Sequence, residues 1–338
     1  MKSMTTRIAQ LITWCFFVAA CVSKPSPQYV GIEGQTMGTY YRVTYMDLEG
    51  RNYKNSIDSL LIALNLSVST YIDSATISKV NQADVGMIVV DDHFVQIFNT
   101  AQDVFRATEG AFDPTVMPLV NAWGFGYDDT KTIDSLVVDS ILQLVNYEHF
   151  TLVENAAGVY VQKKKANTQI DFSAIAKGYG VDLIASWLNK QGVENLLVDI
   201  GGELLAQGKS NKGIPWTVGI DKPIDTLRTR TLQEVVSLDN QAIATSGNYR
   251  NFYLKEGIKY AHTINPQTGY PELTKLLSTS IFADNCTLAD AYATACMVLG
   301  FDKAKLLIEN TPSIEALFIS GNEEGGLTVY DTRTSQNN

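Results

Sequence analysis

At 338 residues the chain can hold one large domain or two modest ones, and its apolar, aromatic and charged fractions (45%, 10% and 18%) are those of an ordinary globular protein. The formal net charge of −10 becomes more negative still once residues 1–20, which hold Lys2 and Arg7 and no acid, are set aside. That excludes the basic face of a nucleic-acid binder and leaves no polybasic route to an anionic membrane.

The N-terminus supplies a different membrane route. Lys2 and Arg7 precede a short apolar core, Leu11 to Val18, which is too short to span a bilayer and fits an export signal. It ends in Val18-Ala19-Ala20-Cys21, which resembles a bacterial lipobox with cleavage before a lipidated Cys21. An ordinary signal peptide cut nearby is the plainer alternative. The expected organisation is a lipoprotein signal over 1–20, a polar tether over 21–28 and one domain over 29–338. Cys286 and Cys296 remain, at a spacing that matches no zinc motif, and read as buried free thiols.

The domain opens with a strand pair, Tyr29 to Gly34 and Gly38 to Tyr45. Helical spacing follows over Ser56–Leu66 and His93–Thr108, with the polar joint Ser69–Ser74 between them. Residues 111–126 are rich in aromatics and glycine, which suits either a packed loop or the wall of a flat-ring pocket. Thr168–Phe172 reads as a short strand and Ala176–Leu188 as a helix, with Ser173 where an N-cap is wanted. This joint, D-F-S-A-I-A-K-G-Y-G-V-D (171–182), sets an acid at a strand end, a lysine one turn into a helix and two glycines close together. Such a joint suits phosphate and metal; a simple capped turn is the alternative.

Strands are expected at Asn195–Ile200, closing on Gly201-Gly202, then at Trp216–Ile220, Leu232–Leu238 and Ala242–Thr245, with Ser246-Gly247-Asn248 as a turn. Tyr260–Ile264 runs into the strong turn signal Asn265-Pro266-Gln267-Thr268-Gly269. A strand at Thr279–Ala283 and an alanine-rich helix at Leu288–Leu299 lead to a helix, two strands and a frayed tail. The order of elements indicates an α+β fold rather than a βαβ series. On the alanine-rich helix Asp290 and Thr294 share one face, an arrangement suited to a hard cation such as Mg²⁺. Thr287-Leu288-Ala289-Asp290 equally fits a local capping box.

Nine short motifs occur in one order: T-M-G-T (36–39), S-T-Y-I-D-S (69–74), F-D-P-T-V (112–116), W-G-F-G (123–126), D-F-S-A-I-A-K-G-Y (171–179), D-I-G-G-E (199–203), T-S-G-N-Y (245–249), H-T-I-N-P-Q-T-G-Y-P (262–271) and A-D-A-Y-A-T-A (289–295). Together they resemble the ApbE family of FAD:protein FMN transferases from about Tyr29 to the C-terminus. The resemblance implies an α+β fold related to T-fold proteins, with FAD in a cleft. It places Mg²⁺ ligands on Asp290, Thr294 and the Ala174 carbonyl. FAD contacts fall on Met37, Tyr71, Trp123, Gly124, Phe125, Asp171, Lys177 and Ile264. It makes His262 the base for the acceptor hydroxyl, against a reading of His262 as a half-buried strand residue.

The implied activity is transfer of FMN from FAD to a Ser or Thr hydroxyl of a target flavoprotein, releasing AMP. The alternatives are an FAD pyrophosphatase giving FMN and AMP, and a non-catalytic FAD-binding lipoprotein. A serine-hydrolase reading on Ser246 and His262 lacks a G-x-S-x-G elbow. The family's acceptor segment does not occur in this chain, so modification is expected in trans, at the periplasmic face of a membrane that carries the anchor.

Overall fold

A computed structural model of the chain describes residues 27–125, 134–223, 231–248, 252–255, 258–261, 263–272, 274–322 and 326–335. The expected signal peptide, Cys21, most of the expected tether, Gly126 and His262 lie outside the described residues. The chain starts with the hairpin β1 (Gln28–Thr36) and β2 (Thr39–Asp47), then α1 (Lys54–Val68), α2 (Thr76–Gln82), β3 (Gly86–Val89) and α3 (Asp92–Ala107). Two short helices follow, α4 (Met117–Ala122) and α5 (Ser135–Leu142), before the hairpin β4 (Phe150–Asn155) and β5 (Gly158–Lys163). Next come α6 (Ala176–Lys190), β6 (Leu196–Ile200), β7 (Glu203–Gln207), β8 (Trp216–Asp221), β9 (Leu232–Leu238) and β10 (Gln241–Gly247). The last elements are β11 (Phe252–Lys255), β12 (Ile258–Ala261), β13 (Leu276–Ala283), α7 (Cys286–Glu309), β14 (Glu315–Gly321), β15 (Leu327–Asp331) and α8 (Thr332–Ser335).

Eight strands form one antiparallel sheet in the order β1-β2-β6-β7-β10-β13-β14-β15. The period-2 alternation of its strands divides the core in two. Ala316 and Phe318 of β14 and Ile281 of β13 join a large cluster with α3, α6 and α7 on one face. Leu317, Ile319 and Phe282 point the other way, onto Trp216, Val236 and Leu238 of the β8–β9 hairpin. The sheet is therefore covered by helices on one side and a two-stranded ribbon on the other, which is the α+β arrangement expected. Among the described residues no helix is long and apolar enough to cross a membrane.

The sequence patterns locate the opening hairpin, α1, α3, α6 and β6 with small changes at the ends. Met37 (φ 49°) and Gly38 (φ 71°) both lie in the left-handed region, as a mirror-image two-residue turn requires. Two expectations fail. Thr168–Phe172 joins no sheet: the Asn81 amide takes the place of a neighbouring strand, accepting from Ile170 N at 2.7 Å and donating to Ile170 O at 2.8 Å. Ser246-Gly247 belongs to β10, paired with Thr279 and Ser278, rather than to a turn. The helix α7 is broken at Gly300, whose φ of 71° and ψ of 172° are non-helical, so its two parts correspond to the expected Leu288–Leu299 helix and the helix after it.

Candidate active site

The helices α6 and α7 cap one another. On α6, Asp182 accepts from the backbone N–H groups of Cys286 and Thr287, both at 2.8 Å, at the start of α7. On α7, Asp290 Oδ2 accepts from Gly178 N at 3.0 Å, in the first turn of α6. Each carboxylate thus satisfies N–H groups that a helix start leaves without an internal partner, and does so on the other helix. Two expected caps are corrected here. Asn285 is the N-cap of α7, accepting from Leu288 N at 2.9 Å, so Thr287–Asp290 is not a capping box. Ser173 is not the N-cap of α6, which is Ile175 without a side-chain cap; Ser173 instead donates its N–H and hydroxyl to Asp171, at 2.8 and 3.0 Å.

Reciprocal capping brings the two helix starts very close. A Cβ on Gly178 would lie 2.2 Å from the Cys286 carbonyl oxygen, so only glycine admits this approach. Beside it stands Lys177, with Nζ 2.8 Å from Glu203 Oε1 and 3.5 Å from Asp290 Oδ1. Burial opposes the charge on Lys177, but Asp290 and Glu203 outweigh it and raise its pKa above the ordinary lysine value. Burial pushes the Glu203 carboxyl up to about 7, against the pull of Lys177. The two groups stand at ion-pair distance.

Asp290 and Thr294, one turn apart on α7, face this corner. Thr294 Oγ1 lies 3.4 Å from Ser246 Oγ on β10. The Gly178 N–H, which a helix begun one residue earlier would direct to the Ala174 carbonyl, goes to Asp290 instead. A carboxylate, a hydroxyl and a turn carbonyl make an all-oxygen donor set that suits Mg²⁺, which keeps room for phosphate oxygens and water. Among the described residues no group of three or more His, Cys, Asp or Glu forms a self-sufficient metal site. The donor set therefore fits a cation shared with a phosphate-bearing substrate.

Three of the FAD-contact candidates gather elsewhere. Trp123, Phe125 and Ile264 meet in a small cluster with Leu119 and Val138. The α4 helix ends at Trp123 in a Schellman motif: Gly124 N bonds to Asn121 O and Phe125 N to Val120 O, both at 3.0 Å, with Gly124 at φ 77°. Trp123 Nε1 donates to Gly269 O at 2.8 Å, and its ring stands 5.7 Å from that of Tyr270. The turn at 265–269 forms as expected, with Gly269 N bonded to Asn265 O at 2.8 Å. A backbone bond, Asp171 N to Pro114 O at 2.8 Å, ties the start of this segment to the helix joint.

Met37 reaches α6 directly, its Cε 3.5 Å from where a Cβ on Gly180 would stand. Tyr71, 81% exposed, lies in the turn after α1. Glu203 went unassigned in the sequence reading. Its signal was the glutamate closing D-I-G-G-E, whose partners come from α6 and α7, far off in sequence.

Fold and corner together define a class of protein: an α+β scaffold in which two helix starts, a lysine and two carboxylates converge. The profile of the ApbE family matches residues 37–318. The FAD:protein FMN transferase of Vibrio cholerae is 34% identical over 334 residues, covering 96% of each chain. The crystal structure titled flavin transferase ApbE from Vibrio cholerae superposes with a TM-score of 0.81 at 32% identity, covering 92% of this chain and 99% of that one. The apo form of the Pseudomonas stutzeri flavinyl transferase ApbE gives 0.82 at 30% identity, covering 92% and 96%. The chain belongs to the ApbE family.

Proposed function

We propose that this protein is an FAD:protein FMN transferase that moves FMN from FAD to a Ser or Thr hydroxyl of an exported flavoprotein, releasing AMP. The observation that supports the reading is the corner where Lys177, Asp290 and the start of α6 converge, which offers a diphosphate an ammonium and a helix N-terminus. In the reaction the acceptor oxygen attacks the FMN-side phosphorus of FAD. A new P–O bond forms, the bond to the AMP oxygen breaks with its electrons leaving on AMP, and the hydroxyl proton passes to a base. Phosphoryl transfers of this kind depend on positioning and on neutralising charge. A Mg²⁺ ion held by Asp290, Thr294 and the Ala174 carbonyl supplies part of that charge.

The chain's own residues do the rest. Lys177 offers a fixed ammonium to the diphosphate. Trp123, Phe125, Tyr71, Met37, Gly124, Asp171 and Ile264 hold the flavin and nucleotide parts. His262 is the base; its neighbour Thr263 is fixed by its hydroxyl donating to Asn248 Oδ1 at 2.8 Å. A lipid anchor on Cys21 keeps the enzyme at the periplasmic face of the cell envelope, where exported acceptors pass.

Incubation with FAD, Mg²⁺ and an exported acceptor protein tests this by mass spectrometry of protein and nucleotide. The expected products are an FMN adduct on one Ser or Thr and an equal amount of AMP. His262→Ala should lower transfer by roughly 10²–10⁴-fold with FAD affinity nearly unchanged. Free FMN with no adduct identifies a pyrophosphatase, and intact FAD after long incubation identifies a binding protein; either result overturns the proposal.

A further inference from the structure

Glu203 lies at the start of β7, straight after the tight Gly201-Gly202 turn, and its residue is only 5% exposed. One carboxylate oxygen meets Lys177. The other, Oε2, is buried and has no hydrogen-bond partner among the described residues. A buried half-satisfied carboxylate is expensive to keep. It is too enclosed to serve as a base for an incoming hydroxyl. Its partner is Lys177, which stands between it and Asp290.

The two distances around Lys177 are unequal, and the inequality is what Glu203 accomplishes. One ammonium faces two carboxylates, standing at 2.8 Å from Glu203 and 3.5 Å from Asp290. A lysine is a compact charge on a flexible four-carbon stem, so it moves to whichever acceptor attracts it more. With Glu203 absent, Asp290 would be the sole carboxylate in reach, and the ammonium would close on it. Asp290 would then spend a lone pair on Lys177 as well as on Gly178, and its oxygens would be less free for a metal.

We infer that Glu203 is a positioning residue: it holds the Lys177 ammonium off Asp290, leaving Asp290 free for a divalent cation while Lys177 stays beside it to face a phosphate. The inference rests on the cation-site reading of Asp290 and Thr294 given above. Glu203 then acts on the cation through Lys177, much as groups bonded to metal ligands do, whose substitution typically changes affinity by 10–100-fold.

The test is calorimetric titration of the full-length protein with Mg²⁺ or Mn²⁺ alone, with thermal melting as a check on folding. Glu203→Gln should raise the cation Kd about tenfold. Glu203→Asp keeps the charge but withdraws the carboxylate by one methylene, so it too should weaken the cation. Removing the lysine as well, in Glu203→Gln/Lys177→Met, should bring the affinity back to the wild-type value or beyond, because the competitor for Asp290 is gone. A merely structural Glu203 predicts the opposite for that double variant: a second buried change would deepen the loss. Should Glu203→Gln fail to fold, Glu203→Asp and its Lys177→Met partner carry the same comparison. Unchanged affinity in Glu203→Gln and Glu203→Asp, or no recovery in the double variant, overturns the inference alone. A wild-type protein whose cation binding is absent, or is indifferent to Asp290→Asn, overturns the cation-site reading and this inference with it.

Discussion

The corner at the starts of α6 and α7 and the aromatic segment around Trp123 are both expected to meet one nucleotide, yet they are built in different ways. At the corner the charged side chains sit on helices or a strand of the main core, and each is fixed from a second element. Asp290 is tied to Gly178, Asp182 to Cys286 and Thr287, and Lys177 to Glu203. The backbones approach so closely that Gly178 has no room for a methyl group. The aromatic segment rests on a small satellite cluster, where its bonds include a Schellman turn, an indole hydrogen bond and a backbone bond to the joint. Charge that must be aimed at a phosphate needs rigid aim, because electrostatic stabilisation falls off when dipoles have to reorganise. A flat ring gains affinity by apolar contact and tolerates some adjustment. The corner should therefore set the rate, and the aromatic wall should set how tightly the flavin is held.

The strongest challenge to that division is Asp290→Asn. The amide keeps an acceptor for Gly178 N, and Lys177 keeps Glu203 at 2.8 Å, so the fold should lose little. Removing one preorganised charge from the reacting centre should nevertheless lower kcat by about 10²- to 10³-fold. The check is steady-state transfer alongside thermal melting. An early-melting variant with full activity at saturating Mg²⁺ would mean that Asp290 serves the helices and not the chemistry.

A second probe acts on the seam between the two regions. Pro114 receives Asp171 N, and its neighbour Asp113 is buried, with Oδ1 accepting from Thr115 N at 2.8 Å and Thr115 Oγ1 at 2.6 Å. Burial pushes the Asp113 carboxyl up to about 6, against hydrogen bonds from Thr115 and Tyr147. The folded chain therefore holds this proton more tightly than the unfolded chain, whose carboxyl titrates near the ordinary value of 3.8. The stability it contributes is complete below about pH 4 and is lost as pH rises through about 6. Two pKa units correspond to roughly 2–3 kcal/mol. Urea melts of wild type and Asp113→Asn should thus diverge between pH 4 and 7, with the wild type losing ground. Parallel pH curves would show that Asp113 is ionised at no cost, and that the seam is wetter than its burial indicates.

These regions also differ in how much of them the sequence discloses. Helices and hairpins were legible wherever a period runs on: α1, α3 and α6 from apolar spacing, β1–β2 from alternation around Met37-Gly38, and the 265–269 turn from Asn-Pro and Thr-Gly. Local rules misled where a distant side chain took over a local role. Thr168–Phe172 alternates like a strand, but its partner is the Asn81 amide. Thr287–Asp290 has the residues of a capping box, but Asp182 and Asn285 cap α7, which leaves Asp290 for α6. Lys177 and Asp290 could be picked out by motif, and the structure brings them together. Glu203 could not be given a role, because its meaning lies in two distances from Lys177, one to Glu203 itself and one to Asp290 on another element.

The mildest change gives the sharpest reading of the wall. Trp123→Phe keeps most of the ring's contact with Leu119, Val138 and Ile264 but removes the Nε1–H that holds Gly269 O at 2.8 Å. Losing one such hydrogen bond costs about 1 kcal/mol, or about fivefold in an equilibrium constant. The turn that carries Gly269 and Tyr270 would be less firmly set against the tryptophan ring, so the apparent KM for FAD should rise by about that factor. Because the wall takes no part in neutralising charge at the diphosphate, kcat should stay where it is. Initial-rate measurements over a range of FAD concentrations separate the two parameters. A fall in kcat comparable to that of Asp290→Asn would show that the indole bond aligns the reacting phosphorus as well as the ring. Wall and corner would then be a single preorganised unit, and the thin backbone link between Asp171 and Pro114 would be carrying alignment from one to the other.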